Sequence, residues 1–428
     1  MYKHILWLAL LAPLGAQAQI TPTQLDTLAA EAQPQVVEWR RWFHENPELS
    51  NREFNTAKKI EEVLREMGLE PQTSIAHTGI VAVIEGGKPG PTVAIRSDMD
   101  GLPVVEQTGL PFASTKTDVY NGQDVGVMHA CGHDNHMSML LGAAWVLNSV
   151  KEDLAGSVML IFQPAEEGAP EGEEGGAELM LKEGIWADSK PEAVFGIHVG
   201  IATPGGQIAV KPGPLMAAVD SFEITVVGKQ SHGAMPWNGV DPIVVASQIV
   251  LGLQTIVSRQ VDVTLAPSIV SVGRISGGVR NNVIPERVEM EGTIRTFDEE
   301  MRREIHARIE NTARAIASAA GAEIEFNLPI GYPSVNNDTQ LFEQMLPTLQ
   351  RVSGDNPVNI ITPQTVAEDF SYFANETPGL FLFLGNGPPD VDPTSLPGNH
   401  SPYFDMYEPN LEMGVRIFSN LVVDYLDR

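Results

Sequence analysis

Short apolar runs alternate along this chain with segments whose apolar residues recur at helical spacing. PTVAIRSDMD, GSVMLIFQPAEEG and EAVFGIHVG each carry a largely apolar run, Thr92–Arg96, Val158–Phe162 and Val194–Ile197, that ends in acidic residues or a histidine. Runs of this length, bounded by turn residues, predict strands buried on both faces. Between the first two, Leu140, Ala143, Ala144 and Leu147 fall at helical spacing and predict a helix over Asn135–Val150; an earlier amphipathic segment runs from Thr23 to Glu45. Strands and helices in alternation imply an α/β sheet with many parallel neighbours. Open sheets of that kind place ligands outside the strand ends. Three strands ending in DMD, AEEG and IH would therefore converge on one crevice.

From about residue 215 the rhythm changes. AVDSFEITVVGKQ, SIVSVGRIS, ERVEMEGTIRTF and AEIEFNL read as strands, while DPIVVASQIVLGLQTIV and EEMRREIHARIENTARAIASAAG read as helices. The order βαββαβ is that of a small ferredoxin-like sandwich. The first kind of patterning then resumes with the apolar FLFLG, followed by NHSPYFD. The expected fold class is therefore α/β, a mixed and mostly parallel sheet in a domain formed by residues 19–214 and 326–428, interrupted by an inserted ferredoxin-like α+β domain at 215–325. The acidic, Gly-rich APEGEEGG (169–176) reads as a solvated loop.

Composition changes this picture in three places. Residues 1–18 combine Lys3, an apolar run from Ile5 to Leu14 and Ala16-Gln17-Ala18, the pattern of a secretory signal peptide cleaved near Ala18-Gln19. The expected location is periplasmic or secreted, and the apolar run is too short for a membrane anchor. A net charge of −28 argues against nucleic acid as a partner, because a phosphate backbone would be repelled. The only cysteine, Cys131, has no internal disulfide partner, which leaves a buried hydrophobe, a reactive thiol or a metal ligand.

Cys131 and His133 flank Gly132 just before the predicted helix, in MHACGHDNHM. A thiol and an imidazole presented from one turn suit a borderline-soft divalent metal. Asp134 reads as the cap of the helix that follows, and His129 and His136 carry no assignment. In QPAEEG, Glu166 and Glu167 would raise each other's pKa if enclosed. A cation would resolve this for one carboxylate and leave the other as a general acid and base. With His198 and His400, each beside an apolar strand, the donors are sufficient for two metals sharing a ligand.

The stretches WFHENPELSNREF, RSDMDGLPVVE, GVMHACGHDNHMSMLLGAA, FQPAEEG, GIHVG, SHGAMPWNGVDPI, NNVIPERVEMEGTIRTF, AEDFSYF and GNHSPYF together resemble the amidohydrolase branch of the two-metal aminoacylase and carboxypeptidase family. That branch includes hippurate hydrolases, N-acyl-amino-acid amidohydrolases and hydrolases of auxin conjugates. The resemblance spans about residues 40–405, nearly the whole chain after the leader. It implies metal-dependent hydrolysis of N-acyl or N-aroyl amino acids or small peptides, with two divalent ions per subunit, zinc or manganese, cobalt or nickel also serving in vitro. It implies Cys131 as the bridging thiolate, His133, His198, Glu167 and His400 as further ligands, and Glu166 as the base. Asp100 falls where related carboxypeptidases keep H-x-D and is expected to support the ligands, as is Asp98. The inserted domain corresponds to the family's lid and dimerisation domain, implying a homodimer. His232 and Asn282 correspond to lid residues that reach an active site, often the partner's, and Arg280 is a candidate for a substrate carboxylate. ENPELS after His44, and Glu368 and Asp369 in AEDF, match the family without an assigned chemistry. Two rival readings stand beside this one: a cysteine hydrolase using Cys131, and a non-catalytic periplasmic binding protein.

Overall fold

The computed structural model describes residues 19–200 and 203–428; the predicted leader at 1–18 lies outside them. The three predicted strands are present as Lys88–Asp98, Ala155–Gln163 and Ala193–Gly200, and they are parallel neighbours in one eight-stranded sheet. Its order is Gln72–Ile75, Gly79–Glu85, Ala155–Gln163, Lys88–Asp98, Ala193–Gly200, Gly379–Gly385, Ile208–Val210, Val358–Ile360. The central pairs are parallel, whereas Gly79–Glu85 and Ile208–Val210 run antiparallel to their inner neighbours, so the sheet is mixed.

Alternate side chains of the central strands enter two different cores. Val93, Ile95, Val158, Leu160, Phe195 and Ile197 pack beneath the helices Pro22–Glu45, His133–Ser149 and Leu411–Leu426. Ala94, Met159, Ile161, Val194 and Phe381 face the opposite layer, which holds the short helices Gly176–Lys182 and Phe370–Glu376. Burial on both faces is the reason these strands read as continuous apolar runs.

The βαββαβ segment folds into a separate antiparallel sheet, ordered Ser268–Ser276, Arg287–Thr296, Ala218–Val227, Glu323–Asn327, with the helices Pro242–Thr255 and Glu299–Ala320 against one face. Its core is its own: Phe222, Ile224, Val245, Ile249, Leu253, Ile294, Ile305 and Ile309. Among the described residues one helical stretch, Pro242–Gln260, is long and apolar enough to cross a membrane. Its Val245, Ala246, Ile249 and Leu253 are buried in this core.

One prediction for the His133 helix fails. The helix begins at His133, its cap position is Gly132, and Asp134 is not the cap. Asp134 is instead fully buried, accepting from Arg40 Nε at 2.9 Å and His44 Nδ1 at 2.8 Å, both on the first helix. Burial opposes charge on Asp134, but Arg40 and His44 hold it well below the usual carboxylate range. His44 donates its second nitrogen to Glu106 Oε1 at 3.0 Å. Burial works against the His44 cation, yet Asp134 and Glu106 raise it to about 9.

A histidine raised from 6.5 to about 9 in the folded chain contributes stability that is complete below pH about 6.5 and disappears as pH rises through 9. The expected contribution is up to about 3 kcal/mol. Urea unfolding midpoints at intervals from pH 6 to 10 should therefore fall across this window in the wild type and much less in His44→Gln. Parallel curves for the two proteins would contradict the assignment.

Candidate metal centre and active site

The three strand ends meet as the sequence predicts, and the turns that follow them are held by identifiable contacts. Gly132 has φ +99, and a Cβ there would lie 2.4 Å from Val199 Cγ2, so only glycine fits between Cys131 and His133. The QPAEEG turn also passes through the left-handed region, at Ala165 with φ 51. Glu53 Oε1 accepts from Ala165 N at 2.9 Å, Tyr332 Oη donates to the Glu166 carbonyl at 2.9 Å, and Asp100 Oδ2 accepts from Glu167 N at 3.1 Å. Glu53 is fully buried, and burial followed by the nearby Asp100 raises it to about 8. The GNHSPYF loop is tied to the same place. Asn399 Nδ2 donates to the carbonyls of Cys131 at 2.9 Å and Val199 at 3.1 Å, and His400 N donates to Ala130 O at 2.8 Å.

These contacts bring together the five donors implied by the resemblance. Donor atoms of Cys131, His133 and His198 lie within 4.8 Å of one another, and so do those of Cys131, Glu167 and His400. Cys131 is common to both groups, the arrangement a bridging thiolate requires. Cys131 Sγ is 3.4 Å from His198 Nε2, and His400 Nε2 is 3.2 Å from Glu167 Oε1.

The residues fit a pair of divalent cations. In two of the histidines one nitrogen is occupied and the other is turned to the site: His133 Nδ1 bonds Asp100 Oδ1 at 3.1 Å, and His198 Nδ1 donates to Val199 O at 2.7 Å. Among the described residues His133 Nε2 is buried without a hydrogen-bond partner, and Glu167 Oε1 has the His400 Nε2 contact, a costly arrangement for His133 unless something else meets it. Orientation of a ligating imidazole by a carboxylate or carbonyl behind it is how protein metal sites set the tautomer. Burial opposes charge on His133, but Asp98 and Asp100 raise it to about 10, so a cation at Nε2 would displace a proton.

His136 is excluded from the ligand set. Its Nε2 accepts from Val199 N–H at 2.8 Å, which places the proton on Nδ1, bonded to Asp98 Oδ1 at 2.6 Å. Asp98 also accepts from Arg96 Nη1 at 2.8 Å and acts as a support. His129 is buried with neither nitrogen partnered among the described residues, and burial lowers it to about 4.

Burial and the Glu167 and Glu166 carboxylates push the Cys131 thiol well above its usual range, and burial keeps His198 well below its own. A neutral thiol beside a neutral imidazole is the opposite of the thiolate–imidazolium pair of a cysteine hydrolase. A coordinating cation reverses this logic and ionises the thiol.

Behind the donors lies a charged cluster that sequence reasoning left unassigned. Arg96, 1% exposed, donates to Asp98, to Glu368 Oε1 at 2.9 Å, to Asp369 Oδ1 at 3.0 Å and to Gln163 Oε1 at 2.7 Å. Oxygens of Glu166, Glu368 and Asp369 lie within 4.8 Å of one another. Burial, then Glu368 and Glu167, push Glu166 well above the usual carboxylate range. An arginine inside an otherwise apolar strand was the signal for this cluster, and its partners come from distant segments.

The pocket in front of the donors encloses about 600 Å³ and is lined by Glu166, Glu167, Glu368, Met216, Arg295 and Tyr332 among others. His232, Asn282 and Arg280 do not line it; all three are exposed on the inserted domain. The arginine that enters the pocket is Arg295, from the strand Arg287–Thr296. Arg280 is therefore not the residue placed to meet substrate within one chain. His232 and Asn282 are held side by side, His232 pairing with Val283 and Gly233 N donating to Asn282 O at 2.8 Å.

Residues 94–424 match the model of peptidase family M20/M25/M40. The chain is 38% identical over 401 residues to thermostable carboxypeptidase 1 of Saccharolobus solfataricus, covering 93% of this chain and 97% of that one. It is 40% identical over 397 residues to N-acetylcysteine deacetylase of Bacillus subtilis, covering 92% and 97%. The crystal structure of the Bacillus subtilis YXEP protein, a dinuclear metal-binding peptidase of the M20 family, superposes with a TM-score of 0.77 at 36% identity, covering 93% of this chain and 99% of that one. With whole-length relatives of this kind, the binding-protein and cysteine-hydrolase readings give way. The chain belongs to peptidase family M20/M25/M40 and is a hydrolase of amide bonds.

Proposed function

We propose that this enzyme removes the acyl group from N-acyl or N-aroyl amino acids, or cleaves small peptides, with two divalent ions held by Cys131, His133, His198, Glu167 and His400 and with Glu166 as general acid and base. The observation that carries the reading is Cys131 standing in two donor groups, one with His133 and His198 and one with Glu167 and His400, with Glu166 beside His133 and Glu167. The ions, zinc or manganese in this reading, would polarise the amide carbonyl and acidify water. Glu166 takes the proton of the attacking water and returns it to the departing amino nitrogen. Asp100 keeps His133 Nε2 aimed at the site and fixes the backbone of Glu167. Arg295 supports an anionic substrate: its guanidinium bonds its own strand, at Thr293 Oγ1 and the Ile294 carbonyl, and among the described residues no carboxylate pairs with it.

The test is metal removal. Chelation should abolish hydrolysis of N-acyl amino acids, and zinc, manganese or cobalt should restore it; activity that survives exhaustive chelation would refute the metal reading. Arg295→Met should raise KM at least about tenfold for the free acid and leave the corresponding amide unchanged, since a lost charge-assisted hydrogen bond is worth roughly 1.5–3 kcal/mol.

The same reading includes a homodimer formed through the inserted domain, residues 215–325, against a catalytic domain of 19–214 and 326–428. Its support is the strand Ser268–Ser276, whose outer edge is unpaired among the described residues and which exposes Ile269 and Ile275, together with Val244 and Leu251 exposed on the helix Pro242–Thr255. An open apolar edge of this kind invites pairing with another copy. A partner's His232 and Asn282 would then complete the site. Sedimentation at a monomer's mass would remove this part of the proposal. Export by residues 1–18 rests on composition, and a mature N-terminus at Gln19 in the exported protein is its test.

A further inference from the structure

Glu368 is a wall residue of the active-site pocket, yet no step above uses it. Its two carboxylate oxygens are unequal. Oε1 accepts from Arg96 Nη2 at 2.9 Å and from Phe370 N–H at 3.0 Å. Oε2 is buried and has no hydrogen-bond partner among the described residues, in a side chain that is 1% exposed. A carboxylate oxygen of Glu368 lies within 4.8 Å of one of Glu166, so Glu368 adjoins the group that handles the proton of the scissile nitrogen. An unmet acceptor at this depth is costly unless a donor arrives with substrate. The surroundings set the sign of that donor. Arg96 is shared among Asp98, Glu368 and Asp369, and His133 is the further cation beside Asp98, so Glu368 holds only a share of one guanidinium.

We infer that Glu368 Oε2 accepts the hydrogen bond of the scissile amide N–H and holds the amino group as it departs. This rests on the amidohydrolase reading and deepens it: Glu368 makes the site one for substrates with N–H at the scissile position. No proton changes place at Glu368. The carbon–nitrogen bond breaks, the proton that Glu166 took from water goes to nitrogen, and the N–H already present stays bonded to Oε2 throughout. The amine gains positive character as it leaves, so the bond to a carboxylate strengthens along the reaction, the condition for an interaction to speed it.

The experiment compares an N-acyl amino acid with the ester of the same acyl group and the matching hydroxy acid, which lacks the N–H. The variant is Glu368→Gln, assayed beside the wild type across the pH range in which the wild type is active. The Arg96 and Phe370 donors hold the carboxamide oxygen, which turns the –NH2 of the variant toward the pocket and reverses the polarity there. The expected result is a fall of roughly 10- to 100-fold in the amide-to-ester ratio of kcat/KM, the range for a hydrogen bond to a charged group. Equal losses on both substrates would mean that Glu368 only supports the fold, and would overturn the inference. A reading independent of the variant comes from wild-type enzyme: the product amino acid should inhibit at least about tenfold more tightly than its hydroxy-acid analogue, and equal inhibition would also overturn it. Wild-type enzyme that cleaves neither substrate with metals restored would instead refute the amidohydrolase reading itself.

Discussion

Glu166→Gln is expected to lower kcat by about two to four orders of magnitude, the range for removing a positioned general acid and base, while both metals still bind. The expectation follows from the division of labour at the AEEG turn. Glu167 shares a donor group with Cys131 and His400, whereas Glu166 reaches neither of those two and stands between His133, its Oε2 3.8 Å from His133 Nε2, and the buried Glu368 and Asp369. Glutamine retains the shape and leaves the Tyr332 bond to the backbone carbonyl intact, so folding should be unaffected. Burial and the neighbouring Glu368 and Glu167 push Glu166 upward, which favours its protonated form. A base must be ionised to accept a proton, so the wild-type rate should fall on the acid side as Glu166 becomes protonated. The variant should lack that limb. Elemental analysis showing full metal content beside a rate near wild type would remove Glu166 from the mechanism.

Arg96→Leu carries the largest expected cost in stability. Its guanidinium is buried among Asp98, Glu368, Asp369 and Gln163, and truncation leaves carboxylates in the core without their cation. Breaking a buried ion pair by removing one partner costs about 3–5 kcal/mol, and a chain of this size should lose roughly 5 °C in Tm. Arg96→Lys should recover only part of this, because an ammonium cannot serve several planar acceptors in fixed directions. Denaturant unfolding with metals removed isolates the effect from ligand binding; a loss below about 1 kcal/mol would show that the cluster relaxes or takes up protons without penalty.

Arg96 also illustrates why part of the site was not legible in the sequence. Its charge inside TVAIRSD marks a buried ion pair, but its partners at 163, 368 and 369 come from two other segments. The AEDF stretch matched a family pattern without showing its use, since Glu368 and Asp369 acquire meaning only from what Arg96 does with them. Glu53 is similar: nothing in SNREF announces that its carboxylate receives Ala165 N–H and holds the AEEG turn in a left-handed conformation. Asp134 was misassigned because a short acidic residue at a helix start fits the local pattern of a cap, and local pattern is all a sequence displays. Its partners, Arg40 and His44, lie about 90 residues earlier. Arg295 was passed over for a related reason: Arg280 and Arg295 both occur in the inserted domain, and only the path of the strand Arg287–Thr296 puts Arg295 on the pocket wall within one chain.

Sequence alone determined the order of strands and helices, the interruption of one α/β pattern by a βαββαβ unit, and the donor types at the three strand ends. Those features depend on side-chain period and on short-range turn chemistry, both written in neighbouring residues. Tertiary structure decided which nitrogen of each histidine is free. It decided that His136 is consumed by Asp98 and Val199 while His133 and His198 face the metals' place, and that Cys131 joins two groups of donors. Each of these depends on a hydrogen bond to a residue brought from elsewhere in the chain, and a buried polar atom acquires its role only from the partner that meets it.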